Sequence, residues 1–180
     1  MNAGRRLLYL VGEPGAGKSA LMARLTEGHP RVPLSGGGLA RDLIVDPRCG
    51  EVVAVELGRR RGAFSGTDAL GMTVIGAAEA YLPRCEAPVL LAEGARLGNA
   101  RFLTSARRAG YAVTLVLLDH DDAPAWRRAR ADRLGKTQDQ SWVAGRRTAS
   151  RRLADAPPDG VTVRRGHPDD LWPSLSEEWP

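Results

Sequence analysis

One glycine-rich segment near the amino terminus constrains the fold of this chain more than any other feature. It matches the pattern G-x-x-x-x-G-K-[ST], the Walker A motif, through Gly12, Glu13, Pro14, Gly15, Ala16, Gly17, Lys18 and Ser19. The apolar run before it indicates a buried parallel strand, and leucines at helical spacing follow it. The motif therefore lies between a strand and a helix, which is the context that a phosphate-binding loop requires.

The residue types of this loop have physical reasons. Glycine permits positive φ angles, so successive backbone amides turn toward one anion, and the following helix adds the positive end of its dipole. The ammonium of Lys18 is expected to bridge the β- and γ-phosphates of ATP, and the hydroxyl of Ser19 to hold Mg²⁺. Of 26 lysines and arginines only Lys18 and Lys136 are lysine, and a compact ammonium fits a phosphate cradle better than a guanidinium does. We therefore predict ATP and Mg²⁺ as cofactors.

Length and composition predict one domain that spans residues 1–180. The chain is 43% hydrophobic and 26% charged, as globular proteins are. Its net charge of +5 permits a nucleic-acid partner, although a kinase that binds two phosphorylated ligands would also be basic. Cys49 and Cys85 have no metal-binding or redox spacing, which suggests a reducing cytoplasm. No apolar run suits a signal peptide or a membrane span, so we expect a cytoplasmic monomer or dimer without membrane contact.

Strand and helix patterns alternate along the chain. This alternation predicts a three-layer α/β/α sandwich with a mostly parallel five-stranded sheet. Residues 31–34 could form a short strand before a flexible break at residues 35–38. Two strand-like runs, residues 43–45 and 52–57, flank a Pro/Gly turn and predict a β-hairpin inserted into the parallel pattern.

A polar segment after this hairpin is a candidate acceptor pocket. Arg59 and Arg60 could bind a phosphate or a DNA backbone, Phe64 could stack on a base, and Asp68 could contact a hydroxyl. Thr67 is a further candidate substrate residue of this pocket. The same residues are also typical of a solvated basic turn. Thr67 or Asp68 could instead cap a helix over residues 69–82.

The next apolar strand ends in Glu93. An acid at the end of a strand downstream of Walker A is typical of Walker B, which places a carboxylate beside Mg²⁺. Glu93 is therefore predicted to bind the Mg²⁺ water shell or to act as general base. Arg96 and Asn99 follow at the sheet edge where open α/β sheets bind ligands, and they are candidate substrate residues. The alternative is a helix cap beside a surface arginine.

An Arg-rich helical hairpin is predicted at about residues 120–150. Arg127, Arg130 and Arg133 are three residues apart and share a helix face. Such a hairpin could be a mobile lid whose arginines close on the phosphates and stabilise the transferring phosphoryl group. A solvated basic helix, or a general nucleic-acid patch, is the alternative.

With these motifs in this order, the chain resembles the P-loop nucleoside and nucleotide kinases. The residues from 56 to 61 and from 64 to 68 also resemble small kinase-like proteins of actinobacteria and their phages, some of which phosphorylate 5-hydroxymethyluracil within DNA. The resemblance implies a P-loop NTPase fold, ATP, Mg²⁺ and a transferred γ-phosphoryl group. Thymidylate kinases usually carry an acidic-Arg pair where this chain has Glu93-Gly94, which argues against thymidylate as the acceptor.

The resulting hypothesis is an ATP- and Mg²⁺-dependent phosphotransferase. Its acceptor would be a nucleoside, a nucleotide or a hydroxymethylated base in DNA, with Glu93 or Asp68 orienting or deprotonating the acceptor hydroxyl. The alternative is a P-loop ATPase module that acts as a switch or on nucleic acid. The chain lacks an N-K-x-D guanine motif, so a GTPase is disfavoured.

Overall fold

The chain folds around a β-sheet whose central strands run parallel. The computed structural model describes residues 4–59, 66–135 and 138–179, without the side chain of Leu134. Within those ranges the chain forms seven strands and six α-helices. None of the described helices combines the length and the apolar character needed to cross a bilayer.

The elements alternate along the chain as the sequence patterns predict. The strands are β1 (Arg6–Gly12), β2 (Arg31–Gly36), β3 (Leu39–Val45), β4 (Val52–Leu57), β5 (Val89–Glu93), β6 (Ala112–Leu118) and β7 (Val161–Gly166). The helices are α1 (Lys18–Leu25), α2 (Val74–Tyr81), α3 (Ala100–Arg108), α4 (Ala123–Leu134), α5 (Gln140–Asp155) and α6 (Pro168–Glu177). Two short 3₁₀ turns, Thr67–Ala69 and Leu82–Arg84, flank α2.

The described strands form one sheet in the order β2-β3-β4-β5-β1-β6-β7. The pairings from β4 to β7 in this order are parallel, whereas β2 with β3 and β3 with β4 are antiparallel. The predicted α/β fold with a mostly parallel sheet is therefore confirmed. The predicted count of five strands was wrong, because two antiparallel strands extend a parallel group of five.

The predicted β-hairpin forms, but it is not an insertion. β3 and β4 pair across a turn in which the amide of Gly50 donates a hydrogen bond of 2.9 Å to the carbonyl of Asp46. β4 also pairs in parallel with β5, so the hairpin continues the main sheet. The physical reason is burial: every residue of β4 from Ala54 to Leu57 is buried, as in a strand with neighbours on both sides.

The hydrophobic core lies on both faces of the sheet. Alternate residues of β1 point to opposite sides, so Leu7 and Tyr9 pack with α2, α3 and α5, while Leu10 packs with α1 and α6. Both faces are covered by helices, which gives the predicted three layers. This arrangement explains why the central strands read as continuous apolar runs.

Capping residues fix where several helices begin or end. The side chain of Asn99 accepts a hydrogen bond of 3.0 Å from the amide of Phe102 and starts α3. Asp139 accepts one of 2.8 Å from the amide of Trp142 and starts α5. Gly135, with a φ of 61°, ends α4 in the left-handed region.

An ion pair attaches α5 to the carboxyl end of β6. Arg151 of α5 donates hydrogen bonds of 2.9 and 2.7 Å to the two carboxylate oxygens of Asp119. These hydrogen bonds lower the pKa of the Asp119 carboxyl from its ordinary value. The bidentate geometry fixes the orientation of both side chains.

A second ion-pair group joins the antiparallel strands. The guanidinium of Arg31 on β2 contacts Asp42 on β3 at 3.1 Å and Glu56 on β4 at 2.5 Å. Glu56 is buried, and Arg31 also donates a hydrogen bond of 2.7 Å to Thr26 after α1. One arginine therefore pairs with two carboxylates at the edge of the sheet.

Replacement of Arg31 tests this group. Arg31→Met keeps much of the side-chain volume but removes the cation that faces the two carboxylates, so the free energy of unfolding should fall by about 3–5 kcal/mol. Arg48→Met is a matched control, because Arg48 pairs with Asp46 while 90% of its side chain is exposed. Urea denaturation measures both variants. Equal stability of the two variants would contradict the structural role of Arg31.

The Asp119–Arg151 pair should make stability depend on pH. A carboxyl with a lowered folded-state pKa stabilises the fold above its unfolded pKa of about 4, and this contribution disappears as the pH falls through the folded-state pKa. The wild type should therefore exceed Asp119→Asn in unfolding free energy at pH 6, and the difference should shrink below pH 4. Denaturant titrations of both proteins from pH 6 to pH 2 measure it. A difference that is independent of pH would exclude this ion pair as its source.

Candidate functional site

The glycine-rich loop, called the P-loop below (residues 12–19), connects β1 to α1. Gly15 and Gly17 have φ angles of 89° and 88°, in the region that favours glycine. A Cβ atom on Gly15 would lie 2.7 Å from the Cβ of Arg127, so α4 packs directly on the loop. The α1 helix begins at Lys18, which turns its amino-terminal amides toward the loop. This is the local geometry that the Walker A motif predicts.

Lys18 lies at the centre of the P-loop. Its ammonium donates hydrogen bonds of 3.0 Å to the carbonyl of Gly12 and 2.9 Å to that of Glu13. Burial lowers the pKa of the Lys18 ammonium, and the carboxylates of Glu93 and Asp68 oppose that shift. The nearby Arg130 lowers it further, so a second cation acts at the same point. Lys18 of the loop and Arg130 of α4 are therefore two cations close to the place expected for a phosphate.

The parallel pairing of β1 with β5 brings Ser19 and Glu93 together. In this register Leu10 is opposite Glu93, so the end of β5 lies beside the P-loop. The Ser19 hydroxyl donates a hydrogen bond of 3.0 Å to Oε2 of Glu93, whose side chain is buried. A hydroxyl beside a carboxylate is an oxygen donor set of the kind that Mg²⁺ prefers. The two predicted metal-binding residues therefore lie side by side.

Asp68 belongs to the turn between β4 and α2, close to the end of β5. Its Oδ1 accepts hydrogen bonds of 2.8 Å from the amide of Ala95 and 3.2 Å from the amide of Arg96. The capping alternative for a helix over residues 69–82 was wrong, because α2 begins only at Val74. The backbone after β5 attracts the carboxylate instead, and two amides fix its position.

Thr67 is buried behind this turn. Its hydroxyl donates a hydrogen bond of 2.8 Å to the carbonyl of Glu93 and lies 3.1 Å from the hydroxyl of Tyr9. A Cβ atom on the preceding Gly66 would lie 2.4 Å from the Cγ of Glu93. Thr67 therefore fastens the Asp68 turn to β5, and the structure does not bring it to the lining of the site.

A cleft of about 770 Å³ contains the P-loop, Ser19, Glu93 and Asp68 in its walls. The lining also comes from α4, from α5 and from the segment between these helices. The described lining residues outside the P-loop are Ala20, Asp68, Met72, Glu93, Ala95, Arg96, Trp126, Arg130, Arg133, Gln138, Trp142 and Arg146. Cations and two carboxylates thus line one cavity.

The helices α4 and α5 are called the basic hairpin below. Some of its arginines line the cleft, and another contacts the P-loop. Arg130 and Arg133 line the cleft, and so does Arg146, which the predicted site did not include. Arg127 instead donates a hydrogen bond of 2.6 Å to the Glu13 carboxylate within the P-loop. Its predicted contact with phosphate stays a prediction, since its guanidinium here faces a protein carboxylate.

The remaining predicted substrate residues have different places. Arg96 lines the cleft. Asn99 caps α3, and Arg59 donates a hydrogen bond of 2.8 Å to the hydroxyl of Ser35, so neither belongs to the described lining. Arg60 and Phe64 lie outside the described residues.

Two tryptophans of the basic hairpin were missed by the sequence patterns. Trp126 and Trp142 line the cleft and are 39% and 43% exposed. The Trp126 ring packs 4.8 Å from that of His120 and would lie 3.0 Å from a Cβ atom on Gly17. The sequence did contain a signal for them. Helices with so many arginines bury few side chains in the core, so a large aromatic residue on such a helix indicates a ligand-binding surface.

In comparisons with known proteins, the sequence matches a family model but no individual protein. No curated protein and no solved structure matches the sequence. The family model described as P-loop Nucleotide Kinase3 matches residues 3–177, which is nearly the whole chain. That match agrees with the α/β fold and with the P-loop. The chain therefore belongs to the P-loop Nucleotide Kinase3 family.

Proposed function

We propose that this protein transfers the γ-phosphoryl group of ATP to a hydroxyl or phosphate of a nucleoside, a nucleotide or a hydroxymethylated base in DNA. One observation carries the proposal: Lys18, the Ser19–Glu93 pair and Asp68 line a single cleft. Phosphoryl transfer needs little covalent help from a protein and depends on positioning and on positive charge. The cleft offers both.

The donor side is the P-loop. Its amides and Lys18 would bind the triphosphate, and Ser19 with Glu93 would hold Mg²⁺. When bound, Mg²⁺ supplies positive charge to the phosphate oxygens. The Trp126 ring beside Gly17 is a flat apolar surface on which the base of the nucleotide could stack.

The acceptor side is the wall formed by Asp68 and Arg96. Asp68 would orient an acceptor hydroxyl and take its proton, while the acceptor oxygen bonds to the γ-phosphorus and the bond to the β,γ-bridging oxygen breaks. ADP leaves with the electron pair of that bond. Arg130, Arg133 and Arg146 would stabilise the charge on the transferring group.

A P-loop ATPase without a small-molecule acceptor is the second candidate. It shares the donor side, so nucleotide binding does not discriminate between the two functions. The fixed carboxylate of Asp68 favours a kinase, because it is a second carboxylate in the cleft that is not part of the Ser19–Glu93 pair. Stimulation of ATP hydrolysis by DNA or a protein, with no labelled acceptor, would favour the ATPase.

Incubation with γ-labelled ATP, Mg²⁺ and a panel of nucleosides, nucleotides and hydroxymethylated DNA tests the proposal. We expect label on one acceptor class, and Lys18→Ala should lower the rate at least about 10²-fold because a phosphate contact is lost. Arg24→Ala is the control, since Arg24 is also on α1 but pairs with the exposed Asp169. Circular dichroism should show that both variants remain folded. Full activity of Lys18→Ala would exclude the P-loop as the site.

The two carboxylates should give different defects. Asp68→Asn should lower kcat by about 10²- to 10⁴-fold with unchanged ATP binding, because it removes the proton acceptor. Glu93→Gln should raise the Mg²⁺ concentration needed for half-maximal rate, because it removes a negative charge beside the metal. Initial rates across a Mg²⁺ titration and quenching of tryptophan fluorescence by ATP measure these effects. Identical defects in both variants would contradict the division of roles.

A further inference from the structure

The basic hairpin is fastened to the P-loop by a residue of the loop itself. We propose that Glu13 is a positioning residue, whose carboxylate fixes α4 and α5 on the P-loop so that Arg130 and Arg146 reach the transferring phosphoryl group. The kinetic part of this proposal rests on the proposed function, whereas its structural part does not.

Glu13 carries a carboxylate that is almost wholly buried. Only 5% of the residue is exposed, although it lies in a loop whose task is to bind an anion. Its Oε2 accepts a hydrogen bond of 2.6 Å from Arg127 of α4, and its Oε1 lies 3.5 Å from Nε of Arg147 of α5. One carboxylate is therefore hydrogen-bonded to α4 and lies within ion-pair distance of α5.

The backbone of Glu13 belongs to the phosphate cradle. Its carbonyl accepts hydrogen bonds of 2.9 Å from the Lys18 ammonium and 3.2 Å from the amide of Ala16. The side chain of Glu13 thus faces the hairpin while its carbonyl faces the ammonium that grips phosphate. A shift of the hairpin and a shift of the cradle are coupled through this residue.

The spacing of the arginines along α4 and α5 shows which cleft residues the Glu13 contacts position. Arg130 follows Arg127 by three residues, so about one helical turn separates the anchor from the cation in the cleft. On α5, Arg146 in the cleft directly precedes Arg147 at the anchor. Because an α-helix is rigid over one turn, fixing Arg127 and Arg147 also fixes the backbone positions from which the side chains of Arg130 and Arg146 extend.

The two ends of the hairpin have separate attachments. Arg151 of α5 is already held by Asp119 at the end of β6. On α4, Arg127 has Glu13 as its carboxylate partner, and the close approach of Gly15 to Arg127 leaves little room for another arrangement. Loss of the Glu13 charge should therefore loosen α4 more than α5.

The test is Glu13→Gln, which keeps the shape of the side chain and removes its charge. We expect kcat to fall by about 10- to 100-fold while KM for ATP changes less than about threefold, because Lys18 and the loop amides remain. Glu13→Asp retains the carboxylate and should recover part of kcat. Glu79→Gln is the matched control, since Glu79 pairs with Arg101 outside the cleft lining and should leave kcat unchanged.

The triple variant Glu13→Gln/Arg130→Gln/Arg146→Gln separates positioning from general damage. If Glu13 acts through Arg130 and Arg146, the triple variant should be no more than about twofold slower than Arg130→Gln/Arg146→Gln. Independent effects that multiply would overturn the proposal, and so would a kcat of Glu13→Gln within twofold of the wild type. Should Glu13→Gln fail to fold, Arg127→Gln breaks the same contact from α4 and is expected to give the same pattern.

Hydrogen exchange tests the structural part without turnover. Amides of α4 should exchange faster in Glu13→Gln than in the wild type or in Glu79→Gln, and those of α5 should change less. Unchanged exchange of α4 would overturn the proposal. If the wild type labels no acceptor, the proposed function fails, and the exchange result alone then decides whether Glu13 fastens the hairpin.

Discussion

The parallel pairing of β1 with β5 on one side and β6 on the other is the constraint on which the site depends. Its register sets Leu10 opposite Glu93 and Gly12 opposite Leu118. The P-loop, Glu93 and Asp119 therefore emerge at one edge of the sheet. Each later feature of the site is built on this edge: the Asp68 turn bonds to the backbone after β5, and α5 is held by Asp119 after β6.

The parts of the site that the sequence predicts are those encoded within one short segment. The P-loop is such a segment, because its glycines, lysine and serine act within eight consecutive residues. Glu93 is recognisable because an acid ends an apolar strand. The partnership of Ser19 with Glu93 then follows from the general rule that parallel strands carry ligand sites at their carboxyl ends.

The parts that the sequence does not predict depend on contacts between distant residues. Helical spacing shows that Arg127 and Arg130 share a face, but not that Arg127 pairs with Glu13, which lies 114 residues earlier. Asp68 has the composition of a helix cap, yet its amide donors lie 27 and 28 residues later. The pairing of β4 with β5 is likewise nonlocal, so the hairpin resembled an insertion when only its own turn was considered.

The distribution of charge explains why so basic a chain needs acidic anchors. Arginines on the basic hairpin repel one another and would turn into water unless carboxylates hold some of them. Glu13 and Asp119 are the carboxylates that hold arginines of the hairpin. The described cleft lining has two carboxylates and five cations, which are Lys18, Arg96, Arg130, Arg133 and Arg146. The excess of positive charge in this chain is thus found in part in the lining of one cavity. Such a cavity matches ligands that carry several phosphates, and carboxylates outside it keep the cations in place.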